Sequence, residues 1–129
     1  MIKYSRQREA IKDYLSHTTA HPTAEQVYLA VRKEYPHISL GTVYRNLNLL
    51  VELGEIQKFS CGDGNDHFDY ITSPHYHFVC RHCGKIIDIP MAARKELEEA
   101  AAMHIQGSIE EHTIFFYGIC EECSHRTPQ

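Results

Sequence analysis

The sequence has no apolar run approaching the length a membrane-spanning helix needs. Its opening stretch, MIKYSRQREAIKDYL, carries early charges and no apolar core segment, so it does not read as a secretory signal. The expectation is a cytoplasmic protein with no membrane partner. No internal repeat, low-complexity tract or long linker interrupts the chain, so its 129 residues make one ordinary domain or two small ones. Basic charge is also scarce: the net charge is −4, which by itself gives no ground for nucleic-acid binding.

The net value hides an asymmetry. Residues 1–60 carry eight lysines and arginines against six acids, whereas residues 61–129 carry five against eleven. A mildly basic front and an acidic back suggest two modules with different partners. The back half is also rich in ligands, with seven of the ten histidines and all five cysteines lying after position 60. In a cytoplasmic chain of this size such cysteines read as metal ligands or free thiols rather than disulfides.

Along the chain, the front half reads as three helices. Residues 5–16 place Ala10, Ile11, Tyr14 and Leu15 on one face. Thr23 and Gln26 form a capping box for the second helix, which Pro36 stops. The third opens at Ser39 and ends before Gly54. EIQKFS and DHFDYI then have strand character around the turn-forming CGDGN, which predicts a hairpin. Three helices and a hairpin make a winged helix-turn-helix over residues 1–72. A second module over residues 73–129 reads as α/β, giving an α+β protein. It has strands at HFVC and KIIDIP, a helix over MAARKELEEAAAMHI and a final strand over residues 109–119.

In the third helix Leu40, Val43, Leu47, Leu50 and Val51 share one face, while Gly41, Thr42, Arg45 and Asn48 point away. A recognition helix uses such a small, polar N-terminal face in the major groove. Gly41 would permit close approach, Arg45 could reach guanine or phosphate, and Thr42 could serve either. Tyr44 could bond phosphate or cap the core. A merely solvated helix face has the same pattern.

Cys80-x-x-Cys83 and Cys120-x-x-Cys123 together supply four thiolates, the tetrahedral set of a structural zinc. The absence of a βαβ pattern around them argues against a redox dithiol. His75 and His77, two apart on an extended segment, point to one face. With Asp69 and Asp88 they make a nitrogen/oxygen set suited to Fe(II), Mn(II) or Zn(II). Surface histidines on an edge strand would give the same spacing. His82, inside the first cysteine turn, is expected to be exposed.

Taken in order, SLGTVYRNLNLL, HYHFVCRHCGKIID and YGICEEC resemble three motifs of the Fur family of metal-dependent repressors. They match that family's recognition helix, its His-x-His/Cys-x-x-Cys-Gly-Lys segment and its C-terminal cysteine pair. The resemblance runs from about Ser5 to Cys123 and is closest to the peroxide-sensing PerR branch. It implies a winged-helix DNA-binding domain, a dimerisation domain with a Cys₄ zinc on Cys80, Cys83, Cys120 and Cys123, and a regulatory metal between them. That branch's regulatory ligands fall on His21, Asp69, His75, His77 and Asp88, with Fe(II) or Mn(II) as the metal. His21 is not visible from spacing alone. Resemblance further implies that peroxide oxidises His21 or His75 of the Fe(II) form, and that Thr42, Tyr44 and Arg45 lie on the DNA-contacting helix. A homodimer on an inverted-repeat operator follows.

The aspartates at 69 and 88 resemble PerR, whereas iron-sensing Fur proteins more often have glutamate there. Pro74 and Tyr76 stand where Fur proteins have ligands for a further site, leaving only His112. The additional N-terminal helix that relatives often carry is expected to be lacking here. Gly41 stands for a more usual alanine, and Cys61 reads as a small loop residue. Alternative functions are iron or other metal sensing, a non-haem iron enzyme using two histidines and a carboxylate, and a zinc-stabilised interaction module without DNA.

Overall fold

The structure, a computed structural model, describes residues 3–126, so the outermost residues of the two expected domains lie outside it. The chain divides into two compact units, Met1–Thr72 and Ser73–Gln129.

The first unit is a winged helix built from α1 (Arg6–Ser16), α2 (Ala24–Val31), α3 (Leu40–Glu52) and the hairpin β1 (Gln57–Ser60) and β2 (Asp66–Asp69). Each helix opens on a side-chain cap. Ser5 Oγ accepts from Arg8 N–H, and Ser39 Oγ accepts from Thr42 N–H at 3.1 Å. Thr23 and Gln26 form a reciprocal box at 3.3 and 2.9 Å. Gly54, at φ 75°, turns the chain out of α3 towards the wing. The three helices meet over Ile11, Leu15, Val27, Val43, Leu47 and Leu50, with Ile56 and Phe68 closing the core from the wing. Full burial of each such side chain stabilises the fold by about 1.5–3 kcal/mol. The helix-turn-helix is thus set by packing, leaving the outer face of α3 to solvent.

The second unit is a three-stranded sheet in the order β4-β3-β5, with β3 at Tyr76–Cys80, β4 at Ile86–Ile89 and β5 at Phe115–Gly118. β3 and β4 are antiparallel, joined by the turn that holds Cys83; β3 and β5 are parallel. The crossover between them carries β4 and α4 (Glu96–Ala102), and α5 (Glu121–Arg126) follows β5. Two elements are shorter than their sequence patterns predict. The expected helix from Met91 reaches only Glu96–Ala102, because Lys95 provides no capping side chain and Met91 N–H turns back to Ile89 O at 2.8 Å. The expected strand over 109–119 is confined to Phe115–Gly118, the stretch that pairs with His77–Cys80. Among the described residues no helix is long and apolar enough to cross a membrane.

Candidate metal centres

Cys80 ends β3, Cys83 lies in the following turn, Cys120 follows β5 and Cys123 sits in α5. The parallel pairing of β3 with β5 brings both Cys-x-x-Cys turns to one end of the sheet, and the four sulfurs lie within 4.8 Å of one another. Gly84, at φ 79°, lets the first turn close, with its N–H on Cys80 O at 2.9 Å. The N–H groups of Cys83 and Cys120 donate to Cys80 Sγ at 3.5 and 3.3 Å and hold that thiol down at about 6, against the opposing effect of burial. Cys123 goes the other way, pushed well above the ordinary thiol range by burial and by its contacts with the other three sulfurs. One sulfur in the cluster is ready to be anionic and another is not. All four can ionise together only around a cation, and the set fits a structural zinc. Lys85 Nζ reaches Glu122 at 3.0 Å beside it and keeps its own charge.

The second candidate set belongs to two places. In the winged unit, His21 Nε2 lies 3.6 Å from Asp69 Oδ2, with both side chains buried. Asp69 is oriented by the Ile71 N–H on its other oxygen at 3.0 Å. His21 has φ 53°, the one described non-glycine residue in the left-handed region. Such a conformation persists where its surroundings over-determine it. Here Pro22 O accepts from Phe68 N–H at 3.0 Å, and the His21 carbonyl accepts from His67 Nδ1 at 2.7 Å.

In the second unit, His77 stands directly across the β3–β4 ladder from Asp88, and His75 precedes it on the same face. Both Nε2 atoms converge on one oxygen, Asp88 Oδ1, at 3.1 Å from His75 and 3.3 Å from His77. His75 Nδ1 donates to Ser73 O at 2.7 Å, which turns its Nε2 towards the carboxylate. This outer hydrogen bond is the device that orients metal-ligating histidines. His77 is held from its other side by a stacked Phe115 ring at 5.5 Å. These nitrogen and oxygen donors, with no sulfur among them, fit Fe(II) or Mn(II).

The helix face of α3 is organised before any ligand arrives. Thr42 Oγ1 accepts from Arg45 Nη2 at 3.0 Å and from Ser39 Oγ at 2.9 Å. Tyr44 OH donates to Glu25 at 3.2 Å, and desolvation together with that carboxylate raises its phenol above the ordinary range. A Cβ on Gly41 would meet Arg45 Nη1 at 3.5 Å and Ser39 Oγ at 3.9 Å, so the protein itself leaves room for an alanine there.

His82 is exposed. His112 joins a polar chain of its own: its Nε2 meets Tyr76 OH at 2.7 Å and its Nδ1 meets Glu98 Oε2 at 2.8 Å. Sequence reasoning did not find the grouping of Cys61, Asp63 and His67 in the wing, whose ligand atoms also lie within 4.8 Å of one another. The signal available was the pair of glycines around Asp63, which let the loop fold back on β2.

A helix-turn-helix with a wing, followed by a unit with a four-thiolate set and nitrogen/oxygen donors, is the architecture of a metal-responsive DNA-binding regulator. The chain belongs to the ferric uptake regulator family, which matches residues 1–117. Members of this family are transcriptional regulators that bind DNA and act as dimers. The chain is 40% identical over 126 residues to the peroxide operon regulator of Bacillus subtilis, covering 97% of this chain and 86% of that protein. The peroxide stress regulator of Campylobacter jejuni superposes with a TM-score of 0.73 at 30% identity, covering 91% of this chain and 88% of that one. The Helicobacter pylori ferric uptake regulator, described as having three functional metal-binding sites, gives a TM-score of 0.78 at 27% identity, covering 95% and 83%.

Proposed function

We propose that this protein is a metal-dependent transcriptional repressor that senses peroxide. In this reading one Fe(II) or Mn(II) is held by His21, Asp69, His75, His77 and Asp88, while a zinc on Cys80, Cys83, Cys120 and Cys123 maintains the second unit. The observation that carries the reading is the division of the nitrogen/oxygen donors. His21 and Asp69 belong to the DNA-binding unit, and His75, His77 and Asp88 to the other. Neither group alone offers more than three residues, so a full ligand shell needs both.

An ion bound by both groups ties the orientation of the winged helix to the second unit. In a dimer that fixes the separation of two recognition helices, and the matching operator is an inverted repeat. Moving such an equilibrium from 1:99 to 99:1 takes about 5.5 kcal/mol of differential metal affinity. Leu97, Met103, Ile105 and Phe116 of the second unit are exposed in the single chain and available to a second copy. On DNA, Arg45 exchanges its bond to Thr42 for a base or phosphate. Tyr44 must give up Glu25 to do the same, which makes it the weakest contact of the three.

Bound Fe(II) supplies the redox chemistry towards peroxide. The ring of His21 or His75 gains one oxygen atom, and the other oxygen leaves as water. An oxidised His21 removes a ligand of the DNA-binding unit; an oxidised His75 removes one from its counterpart. Either change releases the repressor. The test is peptide mass spectrometry after anaerobic Fe(II) loading and a small excess of peroxide. The expected result is one added oxygen on the peptide containing His21 or His75, and none when Mn(II) replaces Fe(II). Unmodified histidines in the Fe(II) protein would contradict peroxide sensing and point to iron sensing.

A further inference from the structure

The wing carries a set of ligand-type side chains that neither metal centre uses. Cys61 follows β1, Asp63 lies in the loop and His67 is on β2; one donor atom from each lies within 4.8 Å of the others. Gly62 and Gly64, at φ 93° and 83°, adopt the conformation that L side chains avoid. They turn the short loop so that Cys61 and Asp63 face the strand that carries His67.

The hydrogen bonds around the set orient its donors. His67 Nδ1 faces the His21 carbonyl at 2.7 Å and must carry a proton to do so, which leaves Nε2 to the loop. Nε2 in turn faces Asp63 Oδ2 at 2.7 Å, while the Asn65 N–H holds Oδ1 of the same carboxylate at 3.0 Å. A lone pair and a carboxylate at that separation need a proton or a cation with them. Both Cys61 and His67 are buried, at 5% and 8% exposure, and the Phe59 ring stacks on His67 at 5.7 Å. An outer hydrogen bond from the other ring nitrogen is how a ligating imidazole is oriented, and the stacked Phe59 covers one face of this ring.

We propose that Cys61, Asp63 and His67 form a third metal site, a thiolate–carboxylate–imidazole site for zinc with its fourth position open to water. The sulfur makes the choice of metal. It favours borderline and soft ions and disfavours Mn(II), so the wing and the nitrogen/oxygen donors select different metals.

Cobalt(II) added to full-length protein whose four-cysteine set already holds zinc tests the site. Cys61 is the one of the five cysteines that lies outside that set, and the regulatory donors contain no sulfur. A thiolate-to-cobalt charge-transfer band therefore reports Cys61. The expected result is such a band in the unaltered protein, displaced by zinc and absent in Cys61→Ser. Asp63→Asn, an exposed loop change, should weaken cobalt binding by about tenfold or more. No band would mean that a proton alone joins His67 to Asp63. A band that persists in Cys61→Ser would mean that cobalt had entered the four-cysteine set; either result overturns the proposal and leaves the peroxide reading untouched.

Discussion

In the winged unit Ile11, Leu15, Val27, Val43, Leu47 and Leu50 bury one another completely or nearly so. In the second unit the cluster at the end of the sheet is Cys80, Cys120 and Cys123, with Phe78 packed against it, while Leu97, Met103, Ile105 and Phe116 stay exposed. The winged unit is held by apolar burial alone, whereas the second buries Tyr76, Val79 and Ile86 and adds the sulfur cluster. A small domain short of apolar core commonly needs a metal or a partner. The same contrast runs through the ligands. The four sulfurs converge within one unit, whereas of the donors proposed for the regulatory metal His21 and Asp69 belong to one unit and His75, His77 and Asp88 to the other. The difference teaches that one metal should be a condition of folding and the other a condition of orientation.

The largest expected effect separates them. Cys123→Ser should release zinc and unfold the second unit, since structural zinc contributes on the order of 10 kcal/mol at neutral pH, comparable to a domain's net stability. The winged unit, with its own core, should keep its helical signals. His77→Ala should leave zinc content and both folds in place and remove only tight Mn(II) binding. Backbone NMR with metal analysis checks both variants, and loss of zinc in His77→Ala would blur the division.

Acid should sharpen it. The Cys80 thiol is held at about 6, below its ordinary 9.0. The stabilisation that its thiolate confers is therefore complete above the ordinary value and is lost as pH falls through about 6. In the zinc-free protein the rate of Cys80 alkylation, followed by peptide mass spectrometry across a pH series, should fall as pH drops through about 6. A rate that falls already near the ordinary 9.0 would show that the Cys83 and Cys120 N–H groups do not hold the thiolate.

The smallest effect belongs to a change that touches neither set. Gly41→Ala places a Cβ in ordinary contact with Arg45 and Ser39. It should stabilise the winged unit by about 0.5–1 kcal/mol through helix propensity. Thermal unfolding should show a modest rise with unchanged metal content, and a fall would mean that the first turn of α3 is more crowded than it looks.

Much of this was legible because local chemistry specifies it. Ser39 and the Thr23–Gln26 pair announce two helix starts, and the Gly-Asp-Gly loop announces the wing. The Cys-x-x-Cys spacings announce thiolates, although only the parallel β3–β5 pairing places them together. Elements governed by distant partners were harder to read. Helix propensity extends α4 back to Met91, but Arg94 N–H is drawn to Tyr76 OH at 2.7 Å. The stretch before β5 has strand-like composition, yet His112 is held by Tyr76 and Glu98. His21 is least legible of all. Its place depends on a left-handed backbone and on a hydrogen bond to His67, forty-six residues away. Family resemblance points to it where spacing does not.

The most direct measurement is operator binding by His21→Ala, with and without Mn(II), on an inverted-repeat duplex selected by the unaltered protein. His21 belongs to the winged unit, so its loss removes that unit's proposed imidazole ligand while the donors of the second unit and the zinc set stay in place. The account predicts a folded, zinc-bearing dimer whose DNA affinity no longer responds to Mn(II). The same Mn(II) dependence as in the unaltered protein would contradict the claim that one metal governs orientation by drawing ligands from both units.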